Sequence, residues 1–376
     1  MKKIFIIILI IFSFLKSQLS AASAMNFLNL APNARVSSLG ESFIALSDDV
    51  SSVLNNPAGL VNLNETEIAF NALLLVESIN YFNLQSGKKF SFGSLGLNFS
   101  FLSYGEIEKY FQGEKIGSIT PSDYLIQLAY AREIKNKFSA GLSFKFANEN
   151  LTEDYKSSAF AFDIGFLYRG FLKNLIKRNW SEFLNFALGI YNLGIGPKFS
   201  SKSESLPLNF KFGFAYKYRL QYPLAYLRDL NFLLDFYIPT EGNFGLRYGT
   251  ELWWYDIGKS PVDIALRFGL KFPSDLGILS MFTTGIGFRV YNNLELDYAF
   301  LNYGDLGITH RIGAIYKFGK IEKPKFVEKP KEEEIIEELE EEPIKKEPKK
   351  EIKKEEKKEE LEEEFEEEEE EEFEEE

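Results

Sequence analysis

Charged side chains are the residues of this sequence whose spacing bears most directly on chemistry. In the stretch DIALRFGLKF, Asp263, Arg267 and Lys271 alternate with large apolar residues and share their parity with Ala and Gly. Because a β-strand points successive side chains to opposite faces, these charges lie on one face. Opposite charges on one face can pair across neighbouring strands, so we predict ion pairs as their chemistry. The charged residues predicted for this face are Lys145, Asp163, Arg169, Lys211, Lys217, Arg247, Glu251, Asp263, Arg267, Lys271, Arg289, Glu295, Asp297, Arg311 and Lys317.

Residues suited to catalysis are scarce. The chain has no cysteine, which excludes disulfides and thiolate nucleophiles, and its single histidine is His310, in the loop motif GITHR. Glu295 and Asp297 share the charged face with Arg289, so ion pairing is favoured over general acid–base chemistry. No glycine-rich phosphate loop leads from a strand into a helix, and the body of the chain has no basic cluster. We therefore expect no enzymatic activity, no cofactor, no metal site and no nucleic-acid partner.

Strands are the elements predicted to carry these charges. Alternation with period two extends from residue 66 to residue 319. The stretch FKFGFAYKY shows it most clearly, with Phe and Tyr at even positions and Lys211 and Lys217 at odd ones. Fourteen strands are predicted to start near residues 66, 79, 93, 122, 138, 158, 183, 207, 228, 244, 262, 280, 293 and 309.

The two faces of these strands indicate their surroundings. One face is large and apolar along its whole length, and the other mixes charges with Gly and Ala. A soluble sandwich would show water a polar face with little glycine, whereas a membrane barrel turns its apolar face to lipid and keeps small and charged residues inside. We predict an all-β fold, a transmembrane antiparallel β-barrel of about 14 strands in outer-membrane lipid. An even strand count places both termini in the periplasm.

The N-terminal sequence MKKIFIIILIIFSFLKSQLSAASA has the form of a secretory signal peptide, predicted for residues 1–24. Two lysines precede an apolar run at 4–15, and small residues follow it. The alternative is a membrane anchor, but the run is shorter than the roughly 20 residues that a spanning helix needs. We predict cleavage near Ala22 or Ala24.

The C-terminal tail, residues 321–376, is a separate segment by composition. It contains 29 Glu and 12 Lys, a net charge of −17 within a whole-chain charge of −13, which leaves +4 for residues 1–320. Such a charge block cannot bury a core, so we predict a disordered periplasmic tail. It is either a solvated tail without a specific partner or an arm for a periplasmic protein or cell-wall partner.

The connection GFLKNLIKRNWSEF, residues 170–183, has two interpretations. Its apolar and basic residues fall near opposite helical faces, which is typical of an interfacial helix on the inner leaflet. The alternative is a long loop.

The segment ARVSSLGESFIALSDDVSSVLNNPAGL resembles the N-terminal segment of PorV/PorQ-type outer-membrane proteins, a group akin to the FadL-type transporters of hydrophobic compounds. The C-terminal stretch LELDYAFLNYGDLGITHRIGAIYKF is similar to the last two strands of that family and the loop between them. The middle of the chain resembles the family only in pattern, and the acidic tail departs from it. The residues of the N-terminal motif are Asp48, Asp49, Asn55, Asn56, Pro57, Ala58, Gly59 and Leu60.

This resemblance implies that residues 25–64 fold into the lumen of a barrel, residues 65–320, as a plug. The alternative is an ordinary helix stop at the barrel rim. Pro57 is expected to end the preceding helix, and Gly59 to permit a tight turn. Asn55 and Asn56 can satisfy free backbone groups there.

The resemblance also implies a function, the passive transport of hydrophobic small molecules across the outer membrane. Two alternatives remain: a PorV-like component of protein secretion of the type IX kind that docks cargo, and a structural barrel. The apolar residues predicted to contact a ligand are Phe43, Ile44 and Leu46 in the plug and Tyr110 and Phe111 in an outer loop.

Overall fold

A computed structural model of the chain describes residues 23–135, 137–152, 155–170, 184–199, 202–224, 226–274 and 276–319. The signal peptide up to residue 22, the helix or loop predicted for 170–183 beyond Gly170, and the acidic tail lie outside these residues. The strands are β1 (Glu67–Leu74), β2 (Asn80–Phe90), β3 (Gly93–Ser103), β4 (Ile107–Phe111), β5 (Glu114–Ile119), β6 (Ser122–Lys135), β7 (Phe138–Asn150), β8 (Lys156–Tyr168), β9 (Leu184–Ile195), β10 (Lys198–Phe199), β11 (Lys202–Ser203), β12 (Asn209–Leu224), β13 (Leu227–Pro239), β14 (Gly245–Trp254), β15 (Val262–Phe272), β16 (Phe282–Val290), β17 (Leu294–Asn302) and β18 (Ile308–Lys317).

Fourteen of these strands close into one antiparallel barrel, in which β1 pairs with both β2 and β18. The other four form two small hairpins, β4–β5 and β10–β11, within connections. Each barrel strand begins within two residues of its predicted start. The predicted all-β barrel of fourteen strands is therefore confirmed.

The two ends of the barrel carry different connections. At one end, which we call the terminal rim, β1 begins and β18 ends, and the β16–β17 turn spans only residues 291–293. At the other end, the hairpin rim, the β4–β5 hairpin emerges between β3 and β6. Among the described residues, no helix is long and apolar enough to cross a membrane.

The predicted register of the strands is confirmed. Leu97 and Phe268 on the outer face are more than half exposed, whereas Lys145 and Arg267 on the inner face are buried. A shift of one residue would exchange these faces and move arginine and lysine into lipid, at a cost of about 2–4 kcal/mol each near the midplane. The alternation thus fixes both the register and the apolar belt.

The outer belt yields a first prediction. We expect Leu97→Arg, in the middle of β3, to destabilise the folded barrel in bilayers by about 2–4 kcal/mol, because it places a charge in the hydrocarbon core. The measurement is refolding in lipid vesicles under a denaturant series. Ile116→Arg on the β4–β5 hairpin is the matched control, since Ile116 is also an aliphatic residue more than half exposed but lies outside the barrel wall. Equal effects of the two substitutions would contradict a membrane-embedded belt.

Residues 25–64, the plug, lie inside the barrel and run from one rim to the other. Met25 and Phe27 pack at the hairpin rim in one cluster with Leu102 of β3. Leu63, at the other end of the plug, approaches Gly87 near the terminal rim. Two short helices, α1 (Ala34–Ser38) and α2 (Ser52–Asn55), lie between these ends.

Glycines on the inner face form the seat of the plug. They occur as directly opposed pairs on neighbouring strands, Gly87 with Gly96, Gly141 with Gly165, and Gly249 with Gly269. A side chain at Gly141 would collide with the backbone of Pro57 and Ala58. These inner-face glycines, which share their strand positions with the charged residues, therefore let the plug backbone approach the wall closely.

Candidate functional site

Arg35 of helix α1 joins the plug to the barrel wall. Its Nε and Nη2 atoms donate to the two carboxylate oxygens of Glu251 at 2.8 Å each, a bidentate pair. Its Nη1 atom donates to Asp48 at 2.8 Å and to Asp49 at 2.6 Å. Arg35, Asp49 and Glu251 are buried, so the bonds among them are screened by salt less than exposed ion pairs are. One plug arginine thus organises both acidic residues of the Asp-Asp motif.

The wall continues this network in both directions. Glu251 also accepts a hydrogen bond from Arg267 Nε at 2.7 Å, and Arg267 donates to Asp297 at 2.5 Å and to Glu295 at 3.1 Å. Arg289 is the last residue of the network in this direction, and it donates a hydrogen bond to Glu295 at 2.9 Å. The predicted cross-strand ion pairing is therefore present, and it serves to hold the plug.

Lys217 extends the network on the other side of Arg35. Its Nζ atom donates to Asp48 Oδ2 at 2.9 Å. Burial would raise the pKa of Asp48, but Arg35 and Lys217 outweigh burial and hold that pKa well below its usual range. Asp48 is therefore ionised at neutral pH and bridges the plug to β12.

Carboxylates of the wall also bind the plug backbone. Asp235 Oδ2 accepts hydrogen bonds from the backbone nitrogens of Phe43 at 2.7 Å and Ile44 at 3.0 Å. Glu67 accepts one from the backbone nitrogen of Val50 at 2.9 Å. These contacts satisfy polar groups that would otherwise be buried without partners.

Glu41 attaches the plug on the side of the hairpin rim. Its carboxylate accepts a hydrogen bond from Lys271 Nζ at 2.5 Å and lies 4.0 Å from Arg247 Nε. Burial alone would raise the pKa of Glu41, but Lys271 and Arg247 outweigh it, and the pKa is lowered from 4.5 to about 2. The ionised carboxylate therefore stabilises the docked plug.

A pH dependence follows from the lowered pKa of Glu41. Its contribution is fully present above the ordinary pKa of 4.5 and is lost as the pH falls through about 2. We expect Glu41→Gln to weaken hydrogen-exchange protection of the plug at pH 7. The difference between variant and wild type should shrink between about pH 4.5 and pH 2. A difference that stays constant over this range would contradict the assignment.

The Asn-Pro-Ala-Gly motif forms the bend after helix α2. The helix ends at Asn55, and Pro57 begins a 3₁₀ helix, Pro57–Asn62, as its sequence position suggests. Asn56 Oδ1 caps that helix by accepting from Ala58 N at 3.1 Å, and Asn56 Nδ2 donates to the carbonyl of Ile44 at 2.9 Å. Gly59 differs from expectation, because a side chain there would collide with Ser47, so close packing rather than a turn requires the glycine.

The remaining charges predicted for the inner face have separate partners. Lys145 pairs with Asp163 at 2.8 Å. The other contacts are Arg169 with Glu133, Lys211 over the rings of Tyr191 and Tyr237, Asp263 accepting from the backbone of Asp256, Arg311 with the carbonyl of Ala31 and with Tyr303, and Lys317 with Glu67 at 3.7 Å.

His310 lies within β18, not in the loop where the sequence placed it, and its side chain faces outwards. Its Nδ1 atom is 2.7 Å from the hydroxyl of Tyr298, and its ring contacts Phe300. Within the described residues, no group of three or more Asp, Glu or His side chains is arranged to hold a metal ion. His310 therefore belongs to the aromatic outer surface.

The residues predicted to contact a ligand fall into two places. Phe43, Ile44 and Leu46 are at most 2% exposed and pack in one cluster with wall residues. Tyr110 and Phe111 project from the β4–β5 hairpin and are about 60% exposed. The structure does not bring the two groups together, and the three plug residues serve plug packing in this conformation.

Among the described residues, two cavities that border the plug have walls of mixed polar and apolar side chains. The larger, 430 Å³, reaches from the terminal rim to Arg35 and Asp48 and is lined by Lys217, Arg289 and Trp253 among others. The smaller, 250 Å³, lies at the hairpin rim and includes Tyr237. The larger cavity therefore extends to the Arg35 network and leaves room there for solvent.

One apolar part of the lumen surface lies near the hairpin rim, where the plug itself covers it. Met25 and Phe27 pack there against Tyr81, Leu102 and Leu125 of three wall strands. Met25 and Phe27 are buried. The first residues of the plug therefore occupy an apolar part of the lumen.

Sequence reasoning missed the residues with the largest roles. Arg35 is the only basic residue between Lys16 and Lys88, which could have marked it as the partner of the two aspartates. Asp235 lies on the inner face of β13 but was not singled out. Met25 and Phe27 follow the predicted cleavage region and carried no signal of their own.

Solved structures similar to this chain are β-barrel channels. The Pseudomonas putida toluene transporter TodX is 8% identical, with a TM-score of 0.47 over 75% of this chain and 96% of that chain. The Ralstonia pickettii toluene transporter TbuX is 9% identical, with a TM-score of 0.46 over 79% and 100%. The CymD monoaromatic hydrocarbon channel is 10% identical, with a TM-score of 0.46 over 78% and 99%.

No protein-family model and no curated protein sequence matches the chain. The resemblance to PorV/PorQ-type proteins therefore stays a prediction. The class that the fold itself defines is a plugged fourteen-strand barrel of the outer-membrane type.

Proposed function

We propose that this protein is a FadL-like outer-membrane channel for the passive transport of small hydrophobic molecules, gated by its own plug. The observation that carries the proposal is the position of Met25 and Phe27, which cover an apolar part of the lumen at the hairpin rim. A belt of exposed apolar side chains supports the location in a lipid bilayer. We infer hydrophobic molecules as the cargo from the resemblance of the N-terminal segment to PorV/PorQ-type proteins, a group akin to the FadL-type transporters.

The first step is exchange of the plug's apolar residues for the cargo. Displacing Met25 and Phe27 would expose Tyr81, Leu102 and Leu125, and a hydrophobic molecule of similar size would cover that surface again. Burial of apolar area is worth about 25 cal/mol per Å², so cargo would offset the loss of plug packing. An apolar solute is thus the class of molecule that can open this end.

The second step is movement of the plug away from the wall. This movement requires the ion pairs of Arg35 and Glu41 with the wall to be replaced by contacts with water. The 430 Å³ cavity already reaches Arg35 from the terminal rim. We infer that the plug shifts towards that rim while the barrel keeps its hydrogen bonds.

A reversible disulfide tests plug movement. A Cβ atom at Gly313 would lie 3.5 Å from the Cβ atom of Ala34, within the range of natural disulfides, and 2.7 Å from Asn71 Oδ1, so the Asn71 side chain must turn aside. The chain has no other cysteine. We expect the oxidised Ala34→Cys/Gly313→Cys protein to take up a radiolabelled hydrophobic solute into vesicles at least about tenfold more slowly than the reduced protein. Reduction of the same sample should restore uptake.

The single variants Ala34→Cys and Gly313→Cys are the controls, and their uptake should not respond to oxidation. Equal uptake by the oxidised and reduced double variant would contradict a moving plug. Absence of saturable uptake by the wild-type protein would contradict transport and favour docking.

The docking alternative has its own supporting observation. The β4–β5 hairpin carries four exposed large apolar side chains, Ile107, Tyr110, Phe111 and Ile116. Such a patch is typical of a protein contact. We expect Ile107→Ser/Ile116→Ser, on the same patch, to leave vesicle uptake unchanged if the protein is a transporter. Loss of a surface-retained exported protein with unchanged uptake would favour docking. We propose that the protein has no catalytic role in either case.

A further inference from the structure

We propose that hydrolysis of the Ala22–Ser23 bond by a signal peptidase creates a charged N-terminus that docks on Glu241. The Ser23 nitrogen lies 2.6 Å from Glu241 Oε2, in the loop between β13 and β14. The other carboxylate oxygen, Oε1, accepts a hydrogen bond from Ser205 Oγ at 2.8 Å. The proposed site is therefore an ammonium–carboxylate pair at the hairpin rim.

Further contacts fix the nitrogen of Ser23 at this point. Ala24 N donates to the carbonyl of Ser205 at 3.0 Å, beside a parallel bridge between Ser23 and Ser205. Asn26 Nδ2 donates to the carbonyl of Ser23 at 3.1 Å, and Ser23 Oγ donates to Asn26 Oδ1 at 3.0 Å. Three neighbours thus aim the Ser23 nitrogen at Glu241.

The cleavage position follows from these contacts. Signal peptidases require small residues one and three positions before the cut. Both Ala22 preceded by Ser20 and Ala24 preceded by Ala22 satisfy this requirement. A cut after Ala24 would remove Ser23 and Ala24 and with them the contacts to Ser205 and Glu241. A cut after Ala22 keeps all of them, so the geometry selects Ser23 as the first residue.

The chemistry of the cut changes the donor at this site. Water adds across the peptide bond, so a carboxylate stays on Ala22 and an amine on Ser23. The amine takes up a proton at neutral pH, since the reference pKa of an α-amino group is about 7.7–8.0. A neutral amide with one hydrogen becomes a cation with three. Hydrogen bonds between ionised partners are roughly twice as strong as neutral ones.

Cleavage of the signal peptide is therefore coupled to the docking of the first plug residues in the barrel. Ser23 lies two residues before Met25, which covers apolar lumen surface with Phe27. Anchoring the N-terminus on Glu241 therefore holds the first turn of the plug over the hairpin rim. An unprocessed chain would have only a neutral donor at this position.

Two measurements test the proposal on the full-length exported protein. Intact mass and N-terminal sequencing are expected to find a chain that starts at Ser23, and a start at Met25 would overturn the proposal. In the second, the Ser23 amine is acylated with an N-hydroxysuccinimide ester at fixed pH. We expect Glu241→Gln to speed its acylation about tenfold, the effect of lowering the amine pKa by about one unit.

Glu114→Gln on the β4–β5 hairpin is the matched control, because Glu114 is exposed and distant in sequence from the N-terminus. It should leave the acylation rate unchanged. Heat-modifiable migration in gels reports whether each variant retains its barrel. An unchanged rate in a folded Glu241→Gln protein would overturn the ion pair. Neither measurement depends on transport, so failure here and failure of the channel proposal are distinguishable.

Discussion

Arg35→Met is expected to weaken docking of the plug by about 3–5 kcal/mol, because it leaves buried Glu251 and Asp49 without their main cationic partner. Arg35 forms four hydrogen bonds to three carboxylates, each 2.8 Å or shorter, and Glu251 is fully buried. The desolvation cost of these carboxylates remains when the arginine is removed. Hydrogen exchange of plug amides, followed by mass spectrometry, should lose about 10² to 10⁴-fold protection.

Arg219→Met is the control for this prediction. Arg219 also binds a carboxylate in a bidentate manner, Asp229, but its side chain is half exposed. Exposed ion pairs contribute about 0–1 kcal/mol, so plug exchange should change less than about tenfold. Similar losses in the two variants would show that burial of the Arg35 network does not stabilise the plug.

Gly141→Leu is expected to displace the plug by steric conflict. The new side chain would overlap the backbone of Pro57 and Ala58, which cannot rotate away as a flexible side chain can. Overpacking of this kind typically costs 1–3 kcal/mol, here at the contact between plug and wall. We expect a raised basal ion conductance in planar bilayers and faster exchange of the Asn-Pro-Ala-Gly segment.

Ala140→Leu is the control, because Ala140 precedes Gly141 on β7 and its side chain faces the outer surface. It places the same leucine side chain in lipid rather than in the lumen. The conductance of this variant should equal that of wild type. If both variants conduct equally, the inner-face glycines that contact the plug have no role in closing the barrel.

The wall of the barrel could be read from the sequence because each strand carries its own signal. In FKFGFAYKY the aromatic residues and Lys211 and Lys217 alternate within nine residues. Lipid favours apolar side chains on the outer face, and the packed lumen favours small and charged side chains on the inner face. A local alternation of these residue types therefore determines the position, register and orientation of each strand. No long-range information was needed.

The Asn-Pro-Ala-Gly motif could be placed in a bend for the same local reason. Pro57 and Asn56 act on backbone within a few residues of themselves, as expected. The role of Gly59 depended on Ser47, twelve residues away, and was therefore assigned to a turn instead of a close contact.

By itself, the sequence determined a fourteen-strand barrel with charges inside and an apolar belt outside, because both follow from alternation within single strands. Only the tertiary structure decided which charges meet. Arg35 reaches Glu251 across 216 residues, and Ser23 reaches Glu241 across 218. It also decided that Phe43 packs against the wall while Met25 and Phe27 cover the apolar lumen. Such contacts depend on how the plug is threaded through a closed barrel, and a linear pattern carries no record of that path.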